Sequence, residues 1–330
     1  LQLPPDRLGN TLLRRRGEWY QQTLIPLSGE LPAASAPPLR HAGVVVIAGG
    51  AGGLGSALSE TLIKQFDAQV IWLGRRAIDE RIQRKIQQQA RWGKAPHYVQ
   101  VDVLDSAALK AAGDSIVRQF GPVNGVVQSA MVLAPASLDK MTRQQFNAAY
   151  QAKMEVIVRL VEAFENPALD LVLFLSTINS YMKAMGQSNY SGGCTFKDAW
   201  AGYLAGSRPY NVKVINLGYC FNNIEDDEGK VDAAQIDHFI EREEFQTVLS
   251  NFIGSEINQM SVMKFSPKWS TLGMLFAKEK FRPAQQALPS FIHHLAQPAA
   301  NFDVARQDAE VINALEAQNA LIITNQEEAV

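Results

Sequence analysis

Val44-Val45-Val46-Ile47-Ala48-Gly49-Gly50-Ala51-Gly52-Gly53-Leu54-Gly55 is the stretch that decides the fold. Five apolar residues, mostly β-branched, suit a strand buried on both faces. The glycines that follow permit a tight turn, and a helical pattern runs from Leu54 to Phe66. A strand, a glycine-rich turn and a helix bring backbone N–H groups and a helix N-terminus to the place where a pyrophosphate can sit. A side chain at the glycine positions would block the turn or the approach of that group. The candidate phosphate-binding residues are therefore Gly49, Gly50, Ala51, Gly52, Gly53, Leu54 and Gly55. A merely flexible turn is the bland alternative, and the flanking strand and helix count against it.

Working outward, the same alternation repeats. Gln69–Leu73, Tyr98–Val101, Gly125–Gln128, Leu169–Leu175 and Asn211–Asn216 read as further buried strands. Ile78–Arg91, Ser106–Phe120, Thr142–Glu165 and Asn189–Ala205 have helical length and pattern. Strands separated by helices predict an α/β fold, a Rossmann-like doubly wound parallel sheet. Before it, Thr11–Arg14 and Trp19–Leu27 read as an N-terminal hairpin around the turn Arg16-Gly17-Glu18, followed by a Pro/Ala/Ser-rich linker from Ser28 to Pro38. After it, residues 266–330 read as a helical C-terminal extension, amphipathic over Asp303–Ala320 and ending in a polar tail.

The end of the second strand of the alternating region selects the cofactor. A site for NAD usually places an acid there for the ribose 2′-hydroxyl. Leu73-Gly74-Arg75-Arg76 offers two guanidinium groups instead, which pair well with a 2′-phosphate, so NADPH is expected. A solvated basic helix start is the alternative, and basic residues at a helix N-terminus are electrostatically unfavourable.

Composition sets outer limits. The 330 residues are 47% hydrophobic and 19% charged, as expected of a chain with a full core. A formal net charge of −2 offers no electrostatic reason for nucleic acid or an anionic membrane as partner. Two cysteines, Cys194 and Cys220, make no disulfide framework and favour a reducing, cytoplasmic setting. No apolar run reaches transmembrane length and no signal pattern opens the chain. A first residue of Leu suggests a piece of a longer polypeptide. The pair His293-His294 points about 100° apart on a helix and has no third ligand nearby, so no metal site is expected.

At this point a resemblance can be stated. Gly49–Gly55, Gly74-Arg75-Arg76, Val101-Asp102-Val103 and Val126-Val127-Gln128-Ser129-Ala130 fall in the order seen in short-chain dehydrogenase/reductases, followed by Gly186-Gln187-Ser188-Asn189-Tyr190 and Val214-Ile215-Asn216. The spacing from Lys153 to Tyr190, with Gly193-Cys194-Thr195-Phe196-Lys197-Asp198-Ala199, resembles the ketoreductase domains of modular polyketide synthases, most of all the trans-acyltransferase type. The resemblance covers roughly residues 40–265. It implies three units: 1–40, the remnant of a structural subdomain plus linker; 41–265, the NADPH-binding catalytic domain; and 266–330, a linker or docking segment. It also implies that Asp102, Val103, Ser129, Ala130 and Met131 line the cofactor, with Lys153 and Tyr190 contacting it as well.

The chemistry is intelligible from the residues. Reducing a ketone requires a hydride donor, a proton donor for the forming alkoxide and a hydrogen bond that polarises the carbonyl. By resemblance Tyr190 is the general acid, Thr177 holds the family's catalytic serine position and Lys153 supplies the positive charge that helps a phenol act near neutrality. Lys197, on the same predicted helix as Tyr190, is the less favoured substitute for Lys153.

Several positions depart from the family pattern. Thr177 keeps a hydroxyl but adds a methyl and a stiffer χ1 than serine. Cys194 stands where an asparagine is often found, and a small buried hydrophobe is its expected role. Met131 replaces a common glycine. Leu217–Phe221 lacks the usual Trp-Gly segment, and Glu225–Gly229 is an acidic stretch, expected to be a solvated loop within a lid over Tyr219–Glu243. Val132–Pro135 lacks a stereochemical aspartate, so product handedness cannot be read. The expected reaction is reduction of a β-ketoacyl thioester, held on the phosphopantetheine arm of an acyl carrier protein, among neighbouring synthase domains. The rival readings are a catalytically silent structural domain and a stand-alone reductase of a free small molecule.

Overall fold

A computed structural model describes residues 12–15, 18–27, 31–130, 137, 139–181, 186–221, 239–264 and 321–329. Seven parallel strands form the body of one sheet: β3 (Val44–Ala48), β4 (Gln69–Gly74), β5 (His97–Gln100), β6 (Val123–Gln128), β7 (Leu171–Thr177), β8 (Asn211–Leu217) and β9 (Gln259–Met263). Their spatial order is β9-β8-β7-β6-β3-β4-β5, so the chain reverses direction across the sheet between β3 and β6. Ligands of open parallel sheets bind beyond the strand C-termini at such a reversal.

The helices cover both faces because each strand is apolar on both. Along β3, Val45 and Ile47 join one core with Leu58 and Leu62 of α1 (Gly53–Phe66), and with Phe245, Leu249 and Phe252 of the helix Arg242–Ile253. Val44, Val46 and Ala48 face the other core, beside Leu109 of α3 (Ser106–Phe120) and Ile157, Leu160 and Val161 of α4 (Arg143–Phe164). Leu204 of α5 (Ser188–Ser207) joins them there. Each side chain so buried stabilises the fold by roughly 1.5–3 kcal/mol relative to exposure. Trp72 is wholly buried on β4, and its indole N–H is satisfied by the Ser59 hydroxyl at 2.8 Å.

Capping fixes most helix starts. Asp79 accepts from the Ile82 N–H at 2.7 Å to open α2 (Glu80–Gln89), and Asp105 accepts from Ala107 and Ala108 at the head of α3. Thr142 and Gln145 form a capping box at α4. α1 differs: its N-cap is Gly52, with no side-chain cap and no acid in the first turn.

The expected doubly wound sheet and N-terminal hairpin are present, with β1 (Leu12–Arg15) antiparallel to β2 (Glu18–Leu27). Three readings are corrected. The expected lid to Glu243 ends earlier, because Glu244 accepts from the Glu241 N–H at 2.8 Å and begins α6 at Arg242. The seventh parallel strand, β9, was not read from sequence. Finally, Leu321–Ala329 is a strand, β10, rather than the end of a helical extension with a polar tail; it lies antiparallel between β9 and β2. Its Leu321-Ile322-Ile323-Thr324 start has strand composition, and pairing with β9 and β2 satisfies its backbone. The helix expected at Asp303–Ala320 lies outside the described residues. No helix among the described residues is long and apolar enough to cross a membrane.

Candidate active site

The glycine-rich turn after β3 is shaped by contacts that exclude side chains. Gly49 has φ +82°, and a Cβ there would stand 2.8 Å from the backbone of Ala130. A Cβ on Gly55 would lie 2.4 Å from the Gly49 carbonyl oxygen. Gly50 is required for another reason: its Cβ would meet the Trp72 ring at 2.1 Å, so the core demands a glycine whether or not a ligand binds. Lys85 of α2 donates to the Ala51 carbonyl at 2.9 Å and steadies the turn. First-turn amides of a helix have no intrahelical acceptor, and α1 begins without a side-chain cap or an acid. The turn from Gly49 to Gly55, with Leu54 and Gly53 opening the helix, therefore fits a nucleotide pyrophosphate.

Arg75 and Arg76 are exposed in the bend after β4. Their carbonyls are held by Gln100 Nε2 at 3.3 Å and by the Tyr98 hydroxyl at 2.7 Å, which fixes the backbone. Among the described residues neither guanidinium is engaged by an acid. Asp102, beyond β5, is exposed and accepts from the Leu104 N–H at 3.0 Å, while Val103 is buried beside it. The Ser129 N–H donates to Ala48 O at 2.9 Å, tying the end of β6 to β3. Met131, the Val132–Pro135 loop, Glu225–Gly229 and His293-His294 lie outside the described residues.

Three elements converge on the proton-donor position. Thr177 ends β7, Tyr190 lies in the first turn of α5 and Lys153 projects from α4. The Thr177 side chain lies beside the Tyr190 hydroxyl. The Lys153 ammonium sits 3.6 Å from the centroid of the Tyr190 ring and 3.1 Å from Cys194 Sγ. Burial pushes the Tyr190 phenol well above its ordinary value, aided by the neighbouring Cys194, while the Thr177 side chain pulls it back. Burial pulls the Lys153 ammonium down, and Cys194 and Asp198 oppose that shift. The three residues singled out as catalytic in the sequence are thus brought together. Cys194 is wholly buried, as expected of a small apolar residue, but its sulfur also holds Lys153.

Beneath this group lies a polar network that the sequence reading did not assign. Asp198 accepts from the Ser176 hydroxyl at 2.6 Å and from Asn216 Nδ2 at 2.7 Å; burial pushes its carboxyl up, and these bonds partly offset that. Lys197 donates to Gln128 Oε1 at 2.6 Å and to Leu175 O at 2.7 Å. The signal was present in helical periodicity, since Tyr190, Cys194 and Lys197 at i, i+4 and i+7 share a face of α5. What periodicity could not supply was the pairing with β6 and β7. A cleft of about 140 Å³ opens above, lined among others by Leu54, Lys153, Thr177, Tyr190, Lys197 and Tyr219. It joins the glycine turn to the proton-donor group, whereas Arg75, Arg76, Asp102 and Val103 stand outside it.

Comparison with known proteins agrees with this geometry. A family model described as the KR domain matches residues 43–221. The polyketide synthase PksN of Bacillus subtilis (strain 168) is 37% identical over 270 residues, 81% of this chain and 5% of that protein. The chain thus spans about a twentieth of the length of that relative. Among solved structures, a ketoreductase domain from the bacillaene assembly line aligns with a TM-score of 0.66 at 21% identity, over 80% of this chain and 65% of that one. A short-chain dehydrogenase from Burkholderia cenocepacia J2315 in complex with NADP aligns with a TM-score of 0.56 at 19% identity, over 66% of this chain and 92% of that one.

Proposed function

The chain belongs to the KR domain family, the ketoreductase domains of polyketide synthases, which share the short-chain dehydrogenase/reductase fold; from that premise we propose that it reduces a β-ketoacyl thioester to the β-hydroxyacyl thioester with NADPH. The observation that carries this reading is the Thr177–Tyr190–Lys153 group lining a cleft together with Leu54, at the start of α1 after the glycine turn, and Ser129–Ala130 beyond β6.

NADPH, when bound, supplies the hydride. Tyr190 gives its proton to the substrate oxygen as the carbonyl becomes an alkoxide. An alkoxide is more basic than a phenolate, so a phenol whose acidity is weakened by burial still donates, and it stays protonated until needed. Thr177 keeps the Tyr190 hydroxyl oriented and offers the second oxygen-directed hydroxyl. The Lys153 ammonium offsets the negative charge that the phenolate acquires. Gly49, Gly50, Ala51, Gly52, Gly53, Leu54 and Gly55 hold the pyrophosphate; Arg75 and Arg76 hold the 2′-phosphate that selects NADPH. Asp102, Val103, Ser129, Ala130 and Met131 complete the cofactor's seat.

The substrate is proposed to arrive on an acyl carrier protein, its phosphopantetheine arm entering beside Tyr219, within a cytoplasmic synthase. Residues 41–265 are the proposed catalytic unit, 1–40 the remnant of a structural subdomain with its linker, and 266–330 the link to neighbouring domains, with β10 set antiparallel between β9 and β2. The assembled proton-donor group counts against the silent-domain reading, and the likeness to a small part of a much longer polyketide synthase counts against the stand-alone one.

The test is NADPH oxidation by the purified chain with a simple β-ketoacyl thioester, beside NADPH binding followed by fluorescence. Tyr190→Phe is expected to lower turnover roughly 10²- to 10⁴-fold while leaving NADPH affinity nearly intact. Unchanged turnover in this variant would refute the assignment.

A further inference from the structure

Lys197 is a lysine with 1% of its surface exposed, seven residues beyond Tyr190 on α5. A leucine or methionine would fill the same volume without the desolvation cost of an ammonium, so its charge and donors call for a specific role. Its two partners come from different strands: Gln128, the last residue of β6, and Leu175 of β7. β6 and β7 pair only as far as Gln128 with Phe174. Leu175, Ser176 and Thr177 continue alongside β8 alone. Beyond the last β6 pair, the Leu175 carbonyl has no β6 neighbour, and Lys197 takes that place.

The contacts continue in both directions. Gln128 turns its amide Nε2 to the Ala130 carbonyl at 2.5 Å. Ala130 in turn packs its backbone against Gly49, where even a methyl group would be 2.8 Å away. On the other side, Leu175 is two residues before Thr177 on the same strand. One ammonium therefore links the turn proposed to seat the cofactor with the strand end that carries the Thr177 hydroxyl.

We propose that Lys197 is a positioning residue for the reduction, clamping the C-terminal ends of β6 and β7 so that the Ser129–Ala130 turn and the Thr177–Tyr190 pair keep a fixed separation. The inference rests on the reductase reading above. Reaction rates are sensitive to such separations, since a misplacement of about 1 Å can lower them about a hundredfold. Lys197 is also a buried ionisable group. The titratable groups around it are Lys153 from α4 and Cys194 and Asp198 from α5. Burial, reinforced by repulsion from Lys153, brings the Lys197 ammonium down to about 7.

The experiment uses Lys197→Met, Gln128→Met and the double variant of the full chain. NADPH affinity is measured by fluorescence, and kcat is measured across pH with a β-ketoacyl thioester. Each single variant is expected to weaken NADPH binding several-fold and lower kcat roughly tenfold, with the double variant no worse than the poorer single one because both break the same path. Lys197→Gln, which keeps N–H donors without the ammonium, is expected to recover most of the affinity and kcat that Lys197→Met loses, a rescue that a purely packing role, served better by methionine, would not give. Wild-type affinity and kcat in Lys197→Met would overturn the proposal, as would a Lys197→Gln variant no better than Lys197→Met. If Lys197→Met does not fold, Gln128→Met carries the test: wild-type NADPH affinity and kcat in that variant overturn the proposal equally. Tyr190→Phe is run in parallel. If that variant keeps its turnover the reductase reading fails, whereas a dead Tyr190→Phe beside an unaffected Lys197→Met removes this inference alone.

Discussion

Gly193 and Lys153 meet so closely across α4 and α5 that a Cβ on Gly193 would stand 2.8 Å from Lys153 Cδ and 3.0 Å from its Cβ. Glycine at this position lets the lysine stem pass α5 and place its ammonium over the Tyr190 ring. Neither residue is near the other in sequence, so the requirement comes from helix packing.

Gly193→Ala is accordingly expected to displace the Lys153 stem and lower kcat roughly tenfold, with NADPH affinity changed less. Steady-state kinetics beside fluorescence titration of NADPH checks this. An alanine variant with wild-type kcat would show that the Lys153 placement is not critical for proton donation.

On the proposed reading, the exposed guanidinium groups after β4 separate the two nicotinamide cofactors. Arg75→Ala is expected to weaken NADPH roughly 10- to 100-fold, the loss of one hydrogen-bonded charge contact, while NADH affinity changes little. The NADPH affinity of the wild type should also fall with added salt, since both groups are solvent-exposed. Equal losses for both cofactors would refute the 2′-phosphate assignment.

The role proposed for Thr177 rests on its hydroxyl and not on its methyl group. Thr177→Ser is expected to keep activity within a few-fold, and Thr177→Val, which preserves shape and removes the hydroxyl, to lower kcat roughly 10²- to 10³-fold as for other oxyanion-directed donors. Comparable activity in the valine variant would remove Thr177 from the mechanism.

Away from the cleft, Lys213 on β8 donates to Ser255 O at 2.8 Å and Ile257 O at 2.7 Å, and burial lowers its ammonium to about 8. The folded state binds this proton less tightly than the unfolded chain, so the group's destabilising effect is full below about 8 and fades as pH rises towards the ordinary lysine value. Denaturation of the wild type and Lys213→Met across pH 7 to about 10.5 is expected to show the wild type gaining on the variant as pH rises. A pH-independent difference would mean that the lysine is not strained by burial.

Local patterns made much of the architecture legible. The run Val44–Gly55 announced a strand, a phosphate-binding turn and a helix, because glycine need and buried-strand composition are properties of neighbouring residues. Ser106–Phe120 was read to its ends because Asp105 caps it with its own side chain. The spacing from Lys153 to Tyr190, with Gly193–Ala199, carried the family resemblance and so the candidate site, on which Thr177 took the serine position. β9, α6 and β10 were missed: Gln259–Met263 and Leu321–Ala329 are short runs whose pairing is decided by strands distant in sequence, and the helix Arg242–Ile253 opens on charged residues that read as part of the lid.

The sequence by itself determined which chemical groups this protein carries and in what order, since hydroxyl, phenol, ammonium and guanidinium are fixed by residue type. Only the tertiary structure decided which of them act together. The pairing of β6 with β7 stops at Gln128, leaving a gap that Lys197 bridges from α5, and the bare Cα of Gly193 admits Lys153 beside Tyr190. Such distances arise from strand ends and helix crossings that join residues tens of positions apart, and electrostatic and hydrogen-bond energies depend on those distances rather than on sequence separation.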